Sequence, residues 1–136
     1  MANEIIVNDG GAPARILPFV AVEAVSAGDA LGLTAEGSGN ASKVNQLTDT
    51  ELMGIMVGVA LTDAAAGEVC SVVSGRGVIV RINTTNGGGG DGLMASSIAG
   101  KLDTWVHATD AENAARPCAV IVDDPTASGL TKCMIL

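Results

Sequence analysis

The residues able to do chemistry in this chain of 136 are few, and they stand apart. His107 is the single histidine and falls on an expected strand beside Trp105. A histidine acts as a base only with a nucleophile or an acid held against it, and no spacing here supplies one. Asp123-Asp124 precedes Pro125, a setting in which acids serve turns. A hard cation needs several oxygen ligands at set spacing, more than Asp91 or Asp123-Asp124 offers. Cys70, Cys118 and Cys133 form no CxxC pair, and with one histidine a zinc site is not expected. Their odd number and apolar neighbours fit buried, reduced thiols. Gly87, Gly89 and Gly92 spell GxGxxG, but a dinucleotide site needs a helix directly after it within a βαβ unit. The flanks here are β-like, so GGGGDG reads as a flexible loop. The expectation is no catalytic residue, no metal, no cofactor and no small-molecule substrate.

The totals agree. Hydrophobic residues make up 48% of the chain, yet alanine is the commonest of them and Phe19 and Trp105 are the only aromatic ones. The core must be built from Val, Ile, Leu and Met around thin Ala and Gly positions. Charged residues are 16%, below the usual quarter or so, which points to an exterior partly covered by other chains. A net charge of −8 with seven basic residues argues against a nucleic-acid footprint. No apolar run approaches the roughly 20 residues that span a bilayer, and the first residues lack the pattern of a secretion signal.

The elements that would position any site read as short strands. Ile55, Val57, Val59 and Leu61 recur at every second residue, the period of a half-buried strand. Val69–Val73, the turn Gly75-Arg76-Gly77, and then Val78, Val80 and Ile82 have the form of a hairpin. Ile16–Val25 is β-rich, with Pro18 confining it to a strand start or an edge. Ser26-Ala27-Gly28-Asp29 turns into a strand at Ala30–Leu33, and Lys43–Leu47 follows. Thr48-Asp49-Thr50-Glu51 has the form of a capping box before Gly54. Leu93–Leu102 fits a short helix or a strand, and Lys101–Ala108 a strand. Ala119–Val122 and Leu130–Leu136 are strands. Residues 1–15 form an arm in which Glu4, Ile5, Ile6 and Val7 could add an edge strand to a neighbouring subunit or partner.

Moving 62 residues along the chain carries Gly28-Asp29-Ala30-Leu31 onto Gly90-Asp91-Gly92-Leu93. The same step carries Val44 onto Val106, Val59-Ala60 onto Ile121-Val122, and Val72-Val73 onto Met134-Ile135. The expectation is an all-β protein: a small barrel or sandwich of short antiparallel strands in two related halves, 28–73 and 90–135. These lie in one domain, 16–136, behind an extended N-terminal arm.

Ala27-Gly28-Asp29, then Gly58-Val59-Ala60-Leu61-Thr62-Asp63-Ala64-Ala65-Ala66-Gly67-Glu68, then Gly75 and Gly77 resemble the turn pattern of the small capsid decoration proteins of tailed bacteriophages. The second half repeats it loosely from Gly90-Asp91 through Ala119–Met134. The resemblance implies a non-enzymatic cement protein on the outer surface of a virion, binding the major capsid protein, commonly as a homotrimer. It also implies that the arm aids attachment, which makes Glu4, Ile5, Ile6, Val7 and Arg15 the expected capsid-binding residues. The alternative is another virion structural component, a head-fibre or tail protein. Small hammerhead carrier barrels share the Gly-Asp turn, but they place a lysine at a hairpin tip, where this chain has Arg76.

Overall fold

A computed structural model of the chain describes residues 5–6, 12–33, 43–48, 56–85, 88–105, 117–123 and 129–136. Their Val-, Ile- and Leu-rich runs form ten short strands. These are β1 Arg15–Ala21, β2 Ala30–Leu33, β3 Lys43–Gln46, β4 Gly58–Ala60 and β5 Val69–Ser74, then β6 Ile79–Thr84, β7 Gly92–Ala95, β8 Leu102–Thr104, β9 Ala119–Ile121 and β10 Gly129–Ile135. They close into two barrels, β1-β3-β2-β4-β5 and β6-β8-β7-β9-β10. The all-β expectation in two related halves holds, with one refinement. A closed ring with an odd number of strands cannot alternate direction all the way round. Each barrel accordingly has one parallel contact, β1 with β3 and β6 with β8, among antiparallel ones.

The registers match strand for strand, but not at one offset. Leu31, opposite Gln46, corresponds to Leu93, opposite Thr104. Val59 then corresponds to Val120, and Val72 to Cys133, one position short of the sequence alignment. Val44 corresponds to Leu102 rather than Val106, since each accepts the equivalent bond, Val22 N–H to Val44 O and Thr85 N–H to Leu102 O, at 2.9 Å. The slip matters because one residue in a strand exchanges inside for outside.

The barrel interiors are narrow, which explains the composition. Eight strands leave an interior just wide enough for side chains to fill, and five leave less. The first barrel is filled by Ala21, Val25, Leu31, Val44, Ala60, Ala64, Cys70 and Val72. The second encloses Val80, Ile82, Leu93, Ala95, Leu102, Ala119, Ile121, Cys133 and Ile135. Its cluster is continuous with Ala30, Leu47, Val59 and Val73 from the outer wall of the first. Strand β4 is therefore buried on both faces, Val59 toward the second barrel and Ala60 into the first. Val57, Val59 and Leu61 do alternate, but the residues between them are not solvated, and Ile55 lies outside the described residues.

The expected hairpin across Gly75-Arg76-Gly77 is not formed. β5 pairs with β1 and β4, and β6 with β10 and β8. Barrel closure claims both edges of each strand, so the turn becomes the crossover between barrels. Gly75 and Gly77, at φ 129° and 83°, adopt backbone conformations closed to most side chains. Of the ambiguous stretch, Gly92–Ala95 and Leu102–Thr104 are strands and Ser96–Gly100 is a turn. The capping box lies, apart from Thr48, outside the described residues.

One buried carboxylate joins the halves. Asp29, 4% exposed, accepts from Ser26 N at 2.9 Å, from Gln46 Nε2 of β3 at 2.7 Å and from Asn83 Nδ2 of β6 at 2.8 Å. Around it Asn83 N–H donates to Gly28 O, and Ala30 N–H to Gly100 O. Gly100 has φ 79°, and a Cβ there would lie 2.9 Å from the Asp29 carboxyl carbon. Asp91 holds the matching turn of the second barrel, accepting from Gly88 N at 2.8 Å, but it is exposed. Asp29→Ala strands the half-buried Gln46 and Asn83 donors as well as the Ser26 N–H and should lower the unfolding free energy by about 3 kcal/mol. Asp91→Ala should cost under about 1 kcal/mol. Urea denaturation of the two variants checks the contrast, and equal losses would refute the buried staple.

Candidate interaction surface

The residues with chemical potential remain dispersed. Asp123 pairs at the surface with Lys132 at 3.5 Å, and Asp91 is spent on its own turn. His107, Asp124 and Gly87 lie outside the described residues. Among the described residues no three His, Cys, Asp or Glu side chains gather as a metal would require. No helix among them is long and apolar enough to cross a membrane. The cysteines are unpaired by disulfides. Burial pushes the thiol of Cys133 up to about 12. Burial also raises Cys118, and burial with the charge of Asp29 raises Cys70.

The motif that carries the family resemblance is turn hardware. Asp63 Oδ1 accepts from Ala27 N at 2.8 Å, Val25 and Ala64 exchange backbone bonds, and Glu68 Oε1 accepts from Ala65 N at 2.9 Å. Gly67, at φ 85°, lets its N–H reach Ala21 O. These contacts close the end of the first barrel and leave nothing directed at a ligand.

Two of the five expected attachment residues are engaged within the chain. Ile5 is 3% exposed and joins the second barrel's core, and Ile6 bridges antiparallel to Val80. Arg15 is exposed at the start of β1. Glu4 and Val7 lie outside the described residues. Ile5→Ala removes buried volume from that core and should cost about 2–4 kcal/mol in denaturant unfolding.

Sequence reading did not single out the face that is exposed and apolar. Pairing with β5 turns Ile16, Pro18 and Val20 outward, with Val20 directly opposite Val69. Ile16 is 55% exposed and Val69 63%, with Leu17 and Val22 close by and also exposed. Among the described residues the other large exposed apolar ones, Leu33, Ile98, Val122 and Leu136, lie on other elements. Scattered apolar residues are ordinary, but several on one strand pair mark a contact surface. The signal was present in the sequence: Ile16–Val22 is an unbroken apolar run, so whichever face a strand there turns outward is apolar.

This architecture has a solved counterpart. The chain is similar to the N base of head fiber gp8.5 of bacteriophage phi29, with a TM-score of 0.64 over 91% of this chain and 95% of that one. Identity is 16%, so the likeness is one of fold. No family model and no curated protein sequence matches the chain.

The raised thiols carry a pH consequence. An unfolded thiol ionises near its ordinary value while the buried one stays protonated, so folding is favoured below that value. The advantage is lost as pH rises toward the folded value, for Cys133 between about 9 and about 12. The denaturation midpoint should fall across that window and fall less in Cys133→Ala. At neutral pH a thiol reagent should label the buried Cys70 and Cys133 only on unfolding.

Proposed function

We propose that the chain is a non-catalytic structural protein of a tailed-phage virion, carried on the outside of the head. The observation that supports this most is the fold likeness to a head-fiber base over nearly the whole of both chains. The exposed apolar face of β1 and β5 gives such a protein a surface to attach by. The fold likeness favours a head-fibre-type base over the narrower reading as a cement between major capsid proteins. That narrower reading, with its homotrimer, draws on the turn pattern at Ala27–Asp29 and Gly58–Glu68. In either, residues 1–15 are the arm, and 28–73 and 90–135 are two copies of one unit. Many copies of a modest interface over a shell give secure attachment without any strong single site.

Purified chain mixed with heads and, separately, with tails should co-sediment with heads alone. Binding to tails only, or to neither, would sink the proposal. Ile16→Glu combined with Val69→Glu should cut head occupancy at least tenfold while circular dichroism stays unchanged. A cement would raise the temperature at which heads release DNA, whereas a fibre base would bind without that rise. Light scattering of the free protein tests the trimer.

A further inference from the structure

The two barrels treat the same strand edge differently. In each, the first strand meets its parallel neighbour only near its C-terminal end: Val20 and Ala21 against Lys43 and Val44, and Thr84 against Leu102. The earlier residues of that strand have an edge outside the ring. On β6 this edge is covered, since Arg81 N–H donates to Ile5 O at 2.8 Å and Ile6 bridges antiparallel to Val80. Asn83 N–H is taken by Gly28 O at 2.9 Å. The registers with β5 and β10 make Ile16, Leu17 and Pro18 the counterparts of Ile79, Val80 and Arg81. On β1, no segment among the described residues covers that edge.

The chemistry of the open edge can be read from the ladder. Ala21 exchanges bonds on the β5 side, donating to Glu68 O and accepting from Gly67 N. Alternation then directs Leu17 and Phe19 toward β5, and Ile16 and Pro18 outward. Pro18 has no N–H to lose, which is why a proline is tolerated in this strand. The edge therefore offers the N–H and carbonyl of Ile16 and the carbonyl of Pro18. It lacks the donor that on β6 receives Ile5 O, so the chain's own arm is favoured on β6 and β1 is left for a guest. Ile16 and Leu17 supply exposed apolar contacts, and Arg15, the only charge on the strand, stands at one end.

We infer that the open edge of β1, residues 15–18, accepts an extended apolar segment of another virion protein as an added antiparallel strand. Toward its C-terminal side that segment carries an acid that meets Arg15. Backbone pairing supplies the affinity and alternate side chains the selectivity, and the covered edge of β6 shows the kind of strand such an edge takes. The inference rests on the virion reading only for the source of the strand.

The probe is a blocked peptide, Glu-Ile-Ile-Val-Asn-Asp, with the sequence of residues 4–9, titrated into the full isotope-labelled chain. Amide resonances of Ile16, Leu17 and Phe19 should shift saturably, with those of Val80, Arg81 and Ile82 unmoved. Pro18→Val supplies the missing donor and should tighten binding about fivefold, the effect of one hydrogen bond. Arg15→Gln should weaken it by about two- to threefold. Shifts confined to β6, or none even in Pro18→Val, overturn the inference. So do concentration-dependent shifts without peptide, which would make a second copy the occupant. No phage particle enters the measurement, so failure to bind heads and failure to bind the strand are told apart.

Discussion

The Asp29 carboxylate takes donors from its own turn, from β3 and from the first strand of the other barrel, and the relative placement of the halves depends on it. Apolar burial holds the barrels together but is non-directional. Ala30, Val59 and Val73 share one buried cluster with Val78 and Val80, and contacts of that kind do not by themselves fix a rotation. A buried acid does not share that tolerance, because leaving any of its partners unpaired costs more than the bond contributes. Asn83 must therefore arrive at one position, and with it the whole of β6. The matching acid of the second barrel, Asp91, lies in solvent and closes only its own turn. The same Gly-Asp sequence thus does a local task in one half and a global one in the other.

The narrow rings impose the second constraint. Five strands leave a narrow interior, filled by small residues around Leu31 in the first barrel and around Ile82, Leu93, Leu102 and Ile121 in the second, and the layer shared between barrels adds to the burial. That is why β4 is covered on both faces, with Ala30 of β2 and Val73 of β5 beside it, and why the interior of the second barrel forms one cluster with the outer wall of the first. Closure also removes most free edges, the usual route by which short strands aggregate. The arm covers what remains on β6. On β1 a proline sits where a donor would otherwise face outward.

Much of this was legible in the sequence. Turn residues and β-branched runs marked nearly every strand, Ala30–Leu33 and Gly129–Ile135 among the clearest. The Gly28-Asp29 and Gly90-Asp91 turns betrayed the repeat. What sequence could not supply was partnership. Val69–Ser74 and Val78–Thr84 look like a hairpin because adjacency in the chain is the strongest local cue, and only barrel closure takes both edges away. The loops absorbed insertions, so a single offset slipped at β4 and β5, and in strands a slip of one reverses the faces. Asp29 read as a turn residue because its partners Gln46 and Asn83 are remote in the chain. Ile5 read as part of a free arm because nothing local reveals the core that receives it.

The surface follows from the same economy of elements. Among the described residues no acids gather as a metal site would need and burial raises each thiol, yet the protein presents two unequal faces. One is the second barrel, sealed by its own arm. The other is β1 with Val69, where apolar side chains are exposed beside a strand edge that no described segment covers. The two barrels match strand for strand, so an edge covered on one and, among the described residues, uncovered on the other marks a difference in what each can touch. Pro18 sharpens that difference, since it removes from β1 the donor equivalent to the Arg81 N–H that holds Ile5 O on β6, while the Ile16 amide and the carbonyls of Ile16 and Pro18 face an edge that no described segment covers. The proposed attachment role would use such an asymmetry: one half closed to hold the fold, and one half with an apolar strand edge to offer a neighbour.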